Sequence, residues 1–246
     1  IFFDNDGLMY ITEMGLGNEL GKGKVTVLKD FDMVFNISYF DHNEGTDGLI
    51  DPVMTYVLED LVYVSESGAD RIIKYKKNKV VNRALDSKNL ITYNYSNQEI
   101  SFPSVKFNKP HAIKIGPDNN FYIADSSNHR ICKFKKDGKF LGWIGKRSDG
   151  EIISDWSLKG SSIAGNELGA FNTPIDFVFK DDFFIVTDCF NHRIVKVLLS
   201  GKSIKSIGGD LNVSKKKNSD FWDIETLSKP SKGALGFNKP FGIKTA

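Results

Sequence analysis

Two stretches of this chain align almost without gaps, and such self-similarity constrains the fold more than any other feature. Residues 107–145 read FNKPHAIKIGPDNNFYIADSSNHRICKFKKDGKFLGWIG, and residues 171–209 read FNTPIDFVFKDDFFIVTDCFNHRIVKVLLSGKSIKSIGG. Each holds F-N-x-P, an apolar run ending in Asp, the tetrapeptide N-H-R-I and a closing I-G. Weaker copies flank them. LVYVSESGADRIIKY at 61–75 matches the central part, with Glu66 for the Asp and Arg71 for the Arg. GLMYITEMG at 7–15 puts Glu13 at the acidic position, and GFNKPFGIK at 236–244 opens a further copy.

Within a copy the apolar runs are short and rich in Val, Ile, Phe and Tyr: HAIKI, FYIAD, RICKF and FLGWIG. Turn signals separate them, namely GPDNN, SSN and KKDG. This pattern predicts four antiparallel strands joined by tight turns. A four-stranded meander of about 40 residues is a propeller blade. One blade cannot bury both faces, so blades must stack. No stretch reads as a long amphipathic helix. The fold class expected is therefore all-β, a β-propeller of four-stranded antiparallel blades in a single domain over 1–246. A partial blade covers 1–50, entering at its second strand. Blades follow at about 51–106, 107–170 and 171–236, and the next one starts at 237–246.

The set F-N-x-P, [FY]-[YI]-[IV]-x-D, N-H-R-I and D-G-x-[FI] resembles the NHL repeat. The G-H and W-D pairs of WD40 and the paired glycines of kelch do not recur. The resemblance is strong over 107–209, moderate over 51–75 and weak at the N-terminus. It implies a six-bladed ring, of which this chain is expected to supply a part.

The acidic residue ending the second strand is followed five positions later by Arg: Glu66 with Arg71, Asp125 with Arg130, Asp188 with Arg193. These are the two ends of one hairpin, where a charge-assisted pair pins the turn or bridges to the next blade. Asn128 and Asn191 occupy the turn, where Asn tolerates left-handed backbone. The pair recurs in every recognisable blade, which favours architecture over a single ligand site. His129 and His192 share the N-H-R turn. They stand on different blades with no second ligand beside them, and zinc needs three or four converging groups. Packing is the expected role.

His111 is different. It follows Pro110 at the start of an innermost strand, where the other copies carry Val53, Ile175 and Phe241. There is a local resemblance here to peptidyl-α-hydroxyglycine α-amidating lyase-like propellers, which use Pro-His in several blades to hold an axial metal. Only His111 matches, so no cofactor is assigned, although an axial divalent metal remains an alternative. Cys132 aligns with Val195 and reads as a small buried hydrophobe. Cys189 aligns with Ser126, and no disulfide between the two is expected. DHNEGTDG at 41–48 lacks the ligand spacing of a calcium loop and reads as a solvated turn.

The segments 146–170 and 210–236 exceed ordinary connections of about 4 to 6 residues, and 76–106 is a third variable stretch with a fourth strand in it. The two connections leave a blade on the face that bears the second-to-third-strand turns. Long loops on a rigid scaffold are where recognition resides. Trp156, Trp222, Tyr93, Tyr95 and the run Lys215, Lys216, Lys217 lie in these segments. The expected function is a binding or interaction scaffold whose partner, a protein or a small-molecule or carbohydrate ligand, docks on the loop face. A metal-dependent propeller enzyme, amidating-lyase-like or lactonase-like, is the alternative. RNA binding ranks third: 33 basic against 31 acidic residues leave a net charge of +2 and no broad basic footprint. No apolar run approaches the roughly 20 residues of a membrane-spanning helix. Compartment is not legible. The chain opens on Ile1, mid-pattern, so it is expected to be part of a longer propeller.

Overall fold

The computed structural model describes residues 1–15, 23–42, 45–83, 89–208 and 237–244. They form two compact units, Ile1–Lys106 and Phe107–Ala246. The candidates Trp222, Lys215, Lys216 and Lys217 lie outside the described residues.

Unit 1 opens with a sheet of β1 (Phe2–Phe3), β2 (Leu8–Glu13), β3 (Lys24–Lys29) and β4 (Asp32–Ile37), paired in that order. The first copy therefore has a first strand, where the sequence suggested entry at the second. Two residues are too short to show a period, but Phe2 pairs with Tyr10 and Phe3 with Met9. A hairpin follows, β5 (Tyr39–His42) and β6 (Gly45–Gly48). It replaces the solvated turn expected at 41–48. The second blade is β7 (Pro52–Leu58), β8 (Leu61–Glu66), β9 (Arg71–Arg83) and β10 (Asn89–Ser101). Pairing of β8 with β9 ends at Leu61 and Lys76. Beyond that point β9 and β10 continue together as a hairpin, through Lys77 opposite Tyr95 to Arg83 opposite Asn89.

Alternation explains which residues these strands bury. Leu8 and Tyr10 of β2 and Val25 and Val27 of β3 are fully buried, and they meet Val57, Val62, Val64, Ile73 and Tyr75 of the second blade. The core carries one polar knot. Lys77 Nζ, on a side chain only 3% exposed, donates to Asp4 Oδ2 at 2.8 Å and Asp6 Oδ2 at 2.7 Å. Tyr10 donates its hydroxyl to the same Asp4 oxygen at 3.0 Å, and its hydroxyl lies 3.3 Å from that of Tyr95. Burial pulls the Lys77 pKa down, but the hydrogen bonds and charges of Asp4 and Asp6 outweigh it and the pKa is raised.

Unit 2 holds two further blades. The first is β11 (Pro110–Ile115), β12 (Phe121–Asp125), β13 (Arg130–Phe134) and β14 (Phe140–Arg147). It is extended at its outer edge by β15 (Ile152–Ser157) and β16 (Ser162–Ile163), both paired with β14. The segment 146–170, read from sequence as a loop, therefore carries two short edge strands. Its polar composition hides strands that add to an exposed edge. The second blade is β17 (Pro174–Lys180), β18 (Phe183–Asp188), β19 (Arg193–Leu198) and β20 (Ser203–Gly208). Residues 237–244 return to its first strand, where Ile243 N donates to Asp176 Oδ2 at 3.1 Å. Between the two blades Tyr122 is the hub of an aromatic cluster, with ring centroids 4.9 Å from Phe179, 5.3 Å from Phe184 and 5.4 Å from Trp156.

The described residues thus build four antiparallel blades, two in each unit. They do not display the six-bladed ring that the family resemblance implied. The physical reason is length. Arg71, Arg130 and Arg193 stand 59 and 63 residues apart, so the chain accommodates about four periods. The described helices are two three-residue 3-10 turns, and no described helix is long and apolar enough to cross a membrane.

The knot in unit 1 gives a stability prediction. Lys77→Met removes the cation and leaves Asp4, itself 3% exposed, without its charged partner. A cost of about 3–5 kcal/mol is expected, read as a lowered urea midpoint. An unchanged midpoint contradicts the assignment.

Candidate functional site

The repeat motif converges on one carboxylate in each of three blades. Asp125 ends β12. Its Oδ2 accepts from Arg130 Nε at 2.7 Å and Asn128 Nδ2 at 2.9 Å, and its Oδ1 accepts from the backbone of Asn108 at 2.8 Å. Asp188 ends β18 and repeats the set, with Arg193 Nε at 2.8 Å, Asn191 Nδ2 at 2.8 Å and Asn172 N at 2.6 Å. Glu66 ends β8, taking Arg71 Nε at 2.6 Å and Ile50 N at 2.7 Å. All three acids are fully buried. Burial pushes the Asp125 and Asp188 carboxyls upward, and their Arg partners and N–H donors pull them back. Glu13 departs from the pattern. It is exposed and faces Lys24 and Thr26 across the strand pair.

Each Asp-Arg hairpin turns through a 3-10 segment, Ser126–Asn128 or Cys189–Asn191, closed by a histidine in the left-handed region. His129 and His192 both have φ of 53°. His129 Nδ1 accepts from the backbone N–H of Thr173 at 3.1 Å, and His192 Nδ1 accepts from that of Lys239 at 3.1 Å. Both donors are the variable residue of F-N-x-P in the following copy. Burial lowers the pKa of both imidazoles; the charge of Asp125 opposes this at His129, and Lys239 adds to it at His192. The closing glycines belong to the same construction. Gly145 and Gly208 have φ of 148° and 110°, and a Cβ there would lie 2.9 Å from His129 O and 2.6 Å from His192 O. The motif thus reaches two copies at once, which the sequence alone did not reveal. The matching left-handed residues before proline, Asp51, Lys109, Thr173 and Lys239, also escaped notice, because no glycine marks them.

His111 is half-buried on β11, its ring edge-on to Phe241 at 5.9 Å. Burial and the charge of Lys109 lower its pKa to about 4, against the opposing pull of Asp176. Asp176 is itself engaged: Lys114 Nζ donates to its Oδ1 at 2.6 Å. A lone imidazole with one committed carboxylate makes an incomplete metal-ligand set. Among the described residues no group of three or more His, Cys, Asp or Glu side chains comes together to hold an ion. Trp156 lies on β15, not in a free loop. Its indole N–H donates to Leu199 O at 3.0 Å, and its ring packs on Tyr122. It ties one blade to the next. Cys132 and Cys189 are both buried and unbridged, and burial raises both thiols.

Four antiparallel blades, three of them built on a buried acid-arginine hairpin, define a repeat protein of the propeller-blade class. Residues 107–134 match the NHL repeat. No curated protein sequence matches it. Among solved structures it is similar to a Bacteroides fragilis protein bearing a provisional 6-phosphogluconolactonase name, at 15% identity over 86% of this chain and 56% of that one, with a TM-score of 0.46. A Bacteroides uniformis protein of the same provisional name shares 16% identity over 85% of this chain and 56% of that one, with a TM-score of 0.46. The periplasmic gluconolactonase of Pseudomonas aeruginosa shares 12% identity over 83% of this chain and 68% of that one, with a TM-score of 0.41. The chain spans little more than half the length of the two Bacteroides proteins.

Two predictions follow from these groups. Asp188→Ala leaves Arg193, only 3% exposed on its side chain, without its counter-charge; a loss of about 3–5 kcal/mol in unfolding free energy is expected, measured by urea titration. For His111, a folded pKa of about 4 lies below the unfolded value of about 6.5. The unfolded chain then binds the extra proton, so stability is full above about pH 6.5 and declines as pH falls toward 4. His111→Leu flattens that part of the profile of thermal midpoint against pH. An unaltered profile counts against the burial of a neutral imidazole.

Proposed function

We propose that this propeller is an interaction scaffold that binds a protein partner on the face carrying its second-to-third-strand turns. The observation that supports this is an apolar surface held on fastened backbone. Ile163, Leu168 and Phe190 are 39%, 45% and 47% exposed, and they belong to the connection after β14 and the turn after β18. The two segments are bonded to each other. Asn191 Nδ2 donates to Gly165 O at 2.8 Å, and Arg193 donates to the carbonyls of Asn166, Glu167 and Ala170 at 2.7, 3.0 and 2.9 Å. Ordering cost is thus met in folding, which favours association, and clustered exposed apolar groups mark interaction surfaces. The test is a photo-reactive residue at position 190, followed by titration of the cross-linked partner against Leu168→Asp/Phe190→Asp. We expect at least a tenfold weaker association with an unchanged thermal midpoint. Adducts that excess unlabelled protein fails to compete away would reject the surface.

A second reading, a metal-dependent enzyme, draws on His111 facing Asp176. Elemental analysis of the full-length protein decides between them. One equivalent of metal that disappears in His111→Ala would displace the scaffold reading.

A further inference from the structure

The histidine of N-H-R is the most conspicuous motif residue that neither the blade interior nor the proposed surface consumes. Its geometry is the same twice. In both copies the ring uses Nδ1 as an acceptor, and the donor is a main-chain N–H from the following copy. An imidazole that accepts at Nδ1 carries its proton on Nε2 and is neutral. Protonation turns Nδ1 into a donor aimed at another donor, so the bond cannot survive it.

The residue gripped is a costly one to hold. Thr173 and Lys239 have φ of 58° and 48°. Each precedes a proline, where the residue is ordinarily pushed to extended backbone, and left-handed φ is unfavourable for a residue with a Cβ. The histidine bond fixes this residue at the entry to the first strand of the next copy. Pro174 then pairs with Asp188, whose own carboxylate grips Asn172 N. At the other seam the histidine bond to Lys239 stands, among the described residues, beside Thr187 Oγ1 to Phe241 O, Ile243 N to Asp176 Oδ2, the Phe241 ring against His111 and Lys239 Nζ over the Phe190 ring.

We infer that His129 and His192 are acid-released latches that fasten the strand entry of each following copy at neutral pH and let go on acidification. The charged neighbours differ at the two seams. Asp125, on the same hairpin, faces His129 and is held by Arg130. Lys239, on the latched segment itself, faces His192 and also lies over Phe190. Protonated His192 would meet a cation as well as an N–H. Both folded pKa values are lowered. The latch contribution is therefore full above the unfolded value of about 6.5 and is lost as pH falls below it.

The test separates the proton from the bond. Asn tolerates the left-handed backbone, and its Oδ1 reproduces the Nδ1 acceptor without titrating. The chain is compared with His129→Asn/His192→Asn and with each single variant, by urea unfolding from pH 7.5 to 5 and by exchange of the Thr173 and Lys239 amide protons, corrected for intrinsic pH dependence. The double Asn variant should match the parent at pH 7.5. Between pH 7.5 and 5 the parent's unfolding constant should rise about tenfold more than the variant's. Protection of the two amides should fall in the parent and hold in the variant. Titration of His111 and of the carboxylates is common to both proteins and cancels. Equal pH profiles, or amides unprotected at pH 7.5, overturn the inference. If the double variant fails to fold, the single variants carry the comparison at one amide each.

Discussion

Every blade that follows the motif hangs on a buried carboxylate at the end of its second strand. The acid must lose its water, and it does so only because fixed donors replace it. The donors come from two places in the chain. Arg at the start of the third strand and Asn in the turn close the hairpin, and the backbone N–H of the residue two before the proline draws in the first strand. One group therefore sets the register of three strands. Glu66 does the same with a side chain one methylene longer and without the turn Asn, whose place Ala69 takes. The socket tolerates a change of acid because its two essential donors, guanidinium and main chain, are unchanged.

A second device works across copies. The left-handed residue before proline is strained, and strain persists only where surroundings overdetermine it. At Thr173 the carboxylate of Asp188 grips the N–H of Asn172 on one side, and His129 of the preceding copy grips its own. The requirement for glycine at Gly145 and Gly208 follows from the same seam, since a side chain would strike the histidine carbonyl. F-N-x-P, Asp, N-H-R and the closing glycine are thus parts of a single joint.

The blade was legible because its signals are local. Strand alternation, turn residues and the fixed five-residue acid-arginine spacing are all read within 40 residues, and β11 to β14 and β17 to β20 fall where that pattern puts them. What was not legible is long-range. The knot of Lys77, Asp4, Asp6 and Tyr10 joins residues more than 60 apart in sequence and has no repeat to announce it. Trp156 looked like a loop aromatic because its neighbours in 152–157 are polar. Those residues form an edge strand, and an edge strand with one open side need not alternate strictly. His111 stands out in the sequence because it breaks an apolar position, but Asp176, which faces it, is committed to Lys114, a pairing between two inner strands that spacing cannot give.

This division bears on where selection can act without breaking the fold. The residues that look most like chemistry, acid, histidine and arginine, are spent inside joints, and each is bound by groups that a substitution would strand. Freedom remains in the additions to the blade plan: β15 and β16 at one edge and the turn bearing Phe190. These are anchored by backbone carbonyls and N–H groups more than by side chains, as the three carbonyls held by Arg193 illustrate. Their surface side chains can therefore change while the path of the chain is kept. A fold built this way separates the residues that hold it together from the residues at its surface, and the second set is the one that composition and repeat spacing leave unmarked.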